Sequence, residues 1–332
     1  MSLDQEIPDE AVAMSTAPMT WQELRRRRRQ DATEELPPEL SALTDGHLPA
    51  KAIQVLDRTD LRTDISSERV RDVEAYRPPW VASAFVPNRS GRPEPPRIRH
   101  RGSDLTPLTI WQPESRTIYN DTSFPWGCVC RIVTARGAVG SGVLIGPRHV
   151  LTASHVVDWS TSDAERIEVH RHGGTVAATA FDTHAFAFTH ITSVSYGTLD
   201  EDYAVLILDQ RLGDRFGFMG CKQYNSSWDD DHVWWTIGYP TDIGTGLFPT
   251  FQRDQSLDED EFDLGSGRAM TTSADAMKGQ SGSPVFGWWD DLPFVVAVVS
   301  AEGQVVLSGL ENWCSGGADL NRTIHKMRAD FS

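Results

Sequence analysis

Ser281 lies in the run Lys278-Gly279-Gln280-Ser281-Gly282-Ser283-Pro284. A serine that attacks a carbonyl needs an exposed turn, close approach by the substrate backbone, and N–H groups aimed at the developing oxyanion. The glycines at 279 and 282 meet the first two needs, because glycine alone enters the required backbone region without strain. The N–H groups of Gly279 and Ser281 can supply the third as an oxyanion hole. By itself the run reads equally well as a plain glycine-serine turn. A second candidate is His155, which ends the run Ser141-Gly142-Val143-Leu144-Ile145-Gly146-Pro147-Arg148-His149-Val150-Leu151-Thr152-Ala153-Ser154-His155. Imidazole is the side chain best suited to general-base work near neutral pH. The competing reading of His155 is a satisfied core histidine, and His149 sits inside the second apolar strand of the same run. A third candidate is Asp202, directly before the apolar stretch Tyr203–Leu208. A partly buried acid there can fix the tautomer of a histidine and stabilise the imidazolium. Asp200 and Glu201 are rivals for that role, and a solvated acidic turn is the plain alternative.

These residues must be positioned by strands. From Phe124 onward, short β-type runs recur, broken by glycine: Cys128–Val133, Gly142–Ile145, His149–Thr152, Ile167–Arg171, Ala204–Leu208, Val233–Ile237, Pro284–Phe286 and Phe294–Val299. Many short strands without interposed helices predict an all-β sandwich or barrel. Leu320, Ile324 and Met327 fall at helical spacing and predict a closing amphipathic helix over Ala318–Met327. Residues 1–113 carry 13 of the 19 prolines and only 3 of the 26 glycines. Proline removes backbone donors, so this stretch is expected to be extended or loosely ordered, apart from a short helix over Thr20–Arg29 with Thr20 as its N-cap.

The three motifs, TASHVV around His155, DYAVLIL after Asp202 and GQSGSPVF around Ser281, together resemble the trypsin-like (chymotrypsin-fold) serine peptidases, and within them the bacterial glutamyl-endopeptidase, or V8-like, branch. The order His, Asp, Ser and the separations of 47 and 79 residues fit the shorter bacterial members. Pro113-Glu114-Ser115-Arg116, followed by Asn120-Asp121-Thr122 and Phe124-Pro125-Trp126, is similar to the start of mature V8-like enzymes. The resemblance covers about residues 113–332. It implies two orthogonally packed six-stranded antiparallel β-barrels, the first over about 113–212 and the second over about 213–332, with a C-terminal helix and a catalytic triad of His155, Asp202 and Ser281 between them. The peptidase unit would then span 105–332, after an N-terminal extension over 1–104. The implied activity is hydrolysis of protein or peptide substrates through an acyl-enzyme, without metal or organic cofactor. A catalytically silent module that keeps the fold for binding is the competing function class.

Gln280 departs from the digestive members, which place there an aspartate that pairs with a newly cut N-terminus; that switch cannot operate here in its usual form. The specificity (S1) pocket would be lined by Asp275, Ala276, Val299, Ser300, Ala301 and Glu302. Glutamate-specific relatives place a histidine where Val299 falls. Asp275 lies six residues before Ser281, where trypsin carries the acid that selects arginine or lysine, which implies a basic residue at P1.

The formal net charge of −16 argues against nucleic-acid and anionic-membrane partners, which demand positive charge. No apolar run reaches the length of a membrane span, and the first residues lack the order of a secretory signal. The expectation is a cytoplasmic protein or one exported without a cleaved Sec signal. Cys128, Cys130, Cys221 and Cys314 show no metal spacing and read as free buried thiols. Asp258-Glu259-Asp260-Glu261 reads as a solvated acidic loop, and His170 and His172 as surface residues. The basic linker Arg97-Ile98-Arg99-His100-Arg101 leaves two readings of the extension: a pro-segment removed by cutting there, or a permanently attached docking arm.

Overall fold

The computed structural model describes residues 17–41, 50–57, 71–90, 114–259, 267–305 and 309–332, and for 301–305 and 309–311 the backbone alone. Sixteen strands dominate it. The first sheet has the order β1(Ala52–Val55), β7(Thr175–Ala187), β6(Arg166–His172), β3(Val129–Val133), β4(Val139–Gly146), β5(His149–Thr152) and β8(Ala204–Leu208), and β8 pairs back onto β7. Six of these strands therefore form a closed barrel, with β1 added in parallel on the outside of β7.

The second sheet runs β12(Leu257–Glu259), β13(Gly267–Thr272), β16(Gly309–Gly317), β15(Leu292–Val305), β14(Pro284–Trp289), β10(Trp234–Gly238), β11(Thr250–Gln255) and β2(Thr117–Ile118), and β9(Gly220–Cys221) joins β15. It differs from the expected closed six-stranded barrel. The end strand β12 follows β11, next to the other end, through Ser256 alone, and no ladder among the described residues closes the sheet, so this unit is a half-barrel.

Turn chemistry follows the residues. Asp290 and Asp291 both have positive φ, 46° and 71°, in the two-residue connection that pairs Trp289 with Leu292. Hairpins of this kind need φ > 0 at both central positions, which aspartate tolerates better than most side chains. A single cluster of buried side chains runs from the first barrel through Trp126, Trp235 and Phe286 into the second, with ring centroids 5.7 Å (Trp126–Trp235) and 6.3 Å (Trp126–Phe286) apart. The C-terminal helix spans Ala318–Asp330, three residues longer than expected, and buries Leu320, Ile324 and Met327 as its periodicity predicts. Each fully buried side chain of that size contributes about 1.5–3 kcal/mol. His149 anchors the helix end: its Nε2–H donates to the Met327 carbonyl at 2.9 Å. The helix near the N-terminus is shorter than expected. Trp21–Leu24 alone is helical, closed by a capping box in which Glu23 Oε2 accepts from the Thr20 N–H at 2.7 Å. The five arginines that follow repel one another at helical spacing.

The described parts of the extension are extended, as proline content predicts, but they are not loose. Leu24 and Val73 are buried in the main core. The Met19 N–H donates to the Trp288 carbonyl at 2.8 Å, Val73 bridges to Cys221, and the Ala84 carbonyl accepts from Trp126 Nε1–H at 2.7 Å. Lys51 carries its ammonium into the first barrel, 2.6 Å from both carboxylate oxygens of Glu165. The Arg97–Arg101 linker and the boundary near residue 104 lie outside the described residues. No described helix is long and apolar enough to cross a membrane.

Candidate active site

Register brings the chemistry together. In the antiparallel pair β5–β8, Thr152 faces Ala204, so the chain leaving β5 and the chain entering β8 lie side by side. His155 sits in the single 3₁₀ turn Ser154–Val156, and Asp202 ends the turn Tyr196–Glu201. Asp202 is fully buried. Its Oδ2 lies 2.7 Å from His155 Nδ1, and its Oδ1 accepts the His155 backbone N–H at 2.9 Å. The rival acids do not make this contact: Glu201 accepts from Thr189 Oγ1–H at 2.6 Å, and Asp200 packs beside Gly267.

The second half of the site comes from β14 and β15. Beyond their ladder the Gly282 N–H donates to the Val299 carbonyl at 2.7 Å and the Val299 N–H to the Ser283 carbonyl at 2.8 Å. These bonds hold the turn of Ser281 beside Ser300. Ser300 Oγ–H donates to Asp202 Oδ2, so the residue expected in the pocket wall also touches the buried acid. The turn is seated on the first barrel as well. The Ser141 N–H donates to the Ser281 carbonyl at 2.8 Å, and a Cβ built on Gly282 would fall 2.8 Å from the Ala153 nitrogen. Gly279 and Gly282 have φ of +96° and +82°, as a turn of this shape demands of glycine.

Ser141, buried on β4, stitches the two barrels at this point. Its Oγ–H donates to the Gly279 carbonyl at 2.6 Å and accepts from the Tyr239 N–H at 2.8 Å. The Lys278 carbonyl accepts from the Thr241 N–H at 2.8 Å and from its hydroxyl at 2.9 Å. In a trans peptide the N–H points opposite to the C=O, so the Gly279 N–H is turned away from Thr241. Ser141 and Thr241 carry no sequence signal of this role, because their partners lie 138 and 37 residues away.

The other expected pocket residues are placed as follows. Asp275 is buried, and its Oδ2 accepts from Gln252 Nε2–H at 3.0 Å and from Ser115 Oγ–H at 3.3 Å, both neutral donors. Ala276 and Val299 are buried in the apolar cluster of the second unit. Ala301 and Glu302 continue β15, and their side chains lie outside the described residues.

Residues 140–289 match the family model of the trypsin-like peptidase domain. Among solved structures the chain is similar to that of a Glu endopeptidase in complex with MPD, with a TM-score of 0.55 and 19% identity, over 67% of this chain and 100% of that one. At that identity the likeness carries the fold. No curated protein matches the chain.

All four cysteines are buried thiols without a disulfide. Burial pushes the Cys221 thiol up to about 12. No group of three or more potential metal-ligating side chains occurs among the described residues. His170, expected at the surface, is buried against Tyr119 with φ of +41°, because β6 turns it inward. Desolvation lowers its pKa to about 4. His172, two residues on, is partly exposed and meets Ser90 Oγ at 3.1 Å. Of the acidic run, Asp260 and Glu261 lie outside the described residues.

Proposed function

We propose that the peptidase is a serine endopeptidase with His155, Asp202 and Ser281 as its catalytic triad, acting on proteins or peptides through an acyl-enzyme. The observation that carries this reading is the buried Asp202, bonded at once to the ring and backbone of His155 and to Ser300. Asp202 orients the imidazole with Nδ1–H toward itself, which leaves Nε2 as the base. Ser281 Oγ attacks the carbonyl carbon and its proton passes to His155 Nε2. The oxyanion so formed is received by the N–H groups of Gly279 and Ser281. The C–N bond breaks as the imidazolium gives its proton to the leaving amine. Water, deprotonated by His155, then attacks the acyl carbon and releases the acid with Ser281 restored. Residues 105–332 form the catalytic unit on this reading. Asp275, six residues before Ser281 where trypsin carries its selecting acid, is the residue assigned to favour a basic P1 residue.

The experiment is labelling with a fluorophosphonate probe together with peptide hydrolysis. Wild type labels at Ser281 and hydrolyses. Ser281→Ala and His155→Ala each lose on the order of 10⁴-fold or more, and Asp202→Asn about 10⁴-fold through the wrong tautomer. Hydrolysis that survives Ser281→Ala in pure protein overturns the assignment.

A further inference from the structure

Arg116 lies on the segment that leads into β2, far in sequence from the nucleophile, and its side chain is fully buried. A guanidinium has five N–H donors and no acceptor. Here each donor has an acceptor. Nε–H and one Nη2–H reach Glu114 at 3.0 and 2.8 Å. The other Nη2–H and one Nη1–H reach Asp242 at 2.5 and 3.2 Å. The remaining Nη1–H donates to Gln280 Oε1 at 2.7 Å.

Both ends of this cluster bear on the oxyanion turn. Gln280 immediately precedes Ser281, and its Oε1 also accepts the Met277 N–H at 3.0 Å while its Nε2–H reaches the Asp275 carbonyl at 3.4 Å. The guanidinium therefore fixes an amide that is folded back onto its own loop. Asp242 adjoins Thr241, which holds the Lys278 carbonyl and so aims the Gly279 N–H. With Glu114 and Asp242 already supplying two negative charges, a neutral amide at 280 adds no third one to a buried site.

We propose that Arg116 is a positioning residue for the reaction: its buried guanidinium, braced by Glu114 and Asp242, clamps the Met277–Ser281 and Tyr239–Asp242 segments together and holds the oxyanion-binding backbone in shape in the uncut chain. No newly exposed N-terminal amine is needed. The inference rests on the serine-peptidase reading above.

The test compares uncut wild type, its integrity checked by intact mass, with wild type cut within residues 91–113, and with Arg116→Lys, Arg116→Gln and Gln280→Leu. The readouts are the rate of fluorophosphonate labelling at Ser281, kcat and KM on one library-selected peptide, and thermal unfolding. Uncut wild type labels at full rate. Arg116→Gln and Gln280→Leu lose about 10²–10³-fold in labelling and in kcat, the size of a lost oxyanion donor, with KM little changed. Arg116→Lys, with three donors and no fork, recovers part of that near neutral pH. If Arg116→Gln does not fold, Gln280→Leu and Arg116→Lys carry the test. The proposal is overturned if the folded variants label at the wild-type rate, or if the uncut chain is inert while the cut chain labels. If neither form labels, the peptidase reading itself fails.

Discussion

Replacing Lys51 with methionine removes the charge that the extension inserts into the first barrel. In the native chain Lys51 Nζ donates to both oxygens of Glu165 at 2.6 Å and to the Asp158 carbonyl at 2.9 Å. The Glu165 N–H in turn donates to Asp182 Oδ1 at 2.7 Å. Lys51 and Glu165 are both fully buried at their side chains. Burial, with Glu165 beside it, pushes the Asp182 carboxyl well up. Methionine keeps the stem volume, so the loss is electrostatic. Leaving a buried ion without its partner costs about 3–5 kcal/mol. The penalty has a ceiling, because Glu165 can take a proton instead. From an ordinary value of about 4.3, that protonation costs about 5 kcal/mol at pH 8 and about 1 kcal/mol at pH 5. In the variant, Glu165 has a folded pKa above its unfolded one, so its stability is present at low pH and lost as pH rises. Lys51→Met should therefore lose about 3–5 kcal/mol at pH 8 and about 1 kcal/mol at pH 5, by denaturant unfolding at both values. Adding Glu165→Gln should return more than half of the loss at pH 8. A loss under about 1 kcal/mol at pH 8, or an equal loss at both pH values, refutes the reasoning.

The native protein should show an opposite limb in acid. Desolvation lowers His149 and His170 from 6.5 to about 4 each, so the stability they carry is present above pH 6.5 and is lost as pH falls toward 4. Each contributes about 3 kcal/mol to that limb, and His149→Gln should flatten it visibly; an unchanged slope would count against the assignment. Ser300→Ala should lower kcat with the fold intact, because Asp202 loses one of its donors, and an unchanged kcat would remove Ser300 from the site. Asp275→Ser should abolish a preference for arginine or lysine at P1 without ending turnover; a wild-type cleavage profile dominated by glutamate or large apolar residues would sink that reading.

The elements that carry the candidate site, and the meeting of His155 with Asp202, were legible in the sequence because their signals are local. His155 follows an apolar strand, Asp202 precedes one, and Ser281 lies between two glycines in a turn before β14. What escaped was carried by weak local signals. β7, Thr175–Ala187, is rich in alanine and threonine, and β16, Gly309–Gly317, holds three glycines, so neither shows the β-branched alternation that marks a strand. Both are held by their neighbours in the sheets. His170 was misplaced for a related reason: its left-handed backbone breaks the alternation that would have put it outside.

The larger gap concerns the extension, whose described parts are held by anchors that composition does not reveal. Proline explains why residues 17–41, 50–57 and 71–90 form few regular elements, yet a segment without its own ladder can still satisfy its backbone and bury side chains on another surface. Leu24 fills the main core, Trp21 lies 6.0 Å from Trp235 with the Arg253 guanidinium over its ring, and Lys51 neutralises a buried acid in the first barrel. Each anchor joins residues more than 100 positions apart, and a pattern read within a window cannot see it. The anchors also weigh on the choice between a removable pro-segment and a permanent arm. A pro-segment that leaves must expose what it covered. Here departure would strip apolar surface from the barrel core and leave Glu165 and Asp182 buried without Lys51. A cut in the linker can break the chain, but the cost of separating the pieces falls on the barrels themselves, which favours an extension that stays.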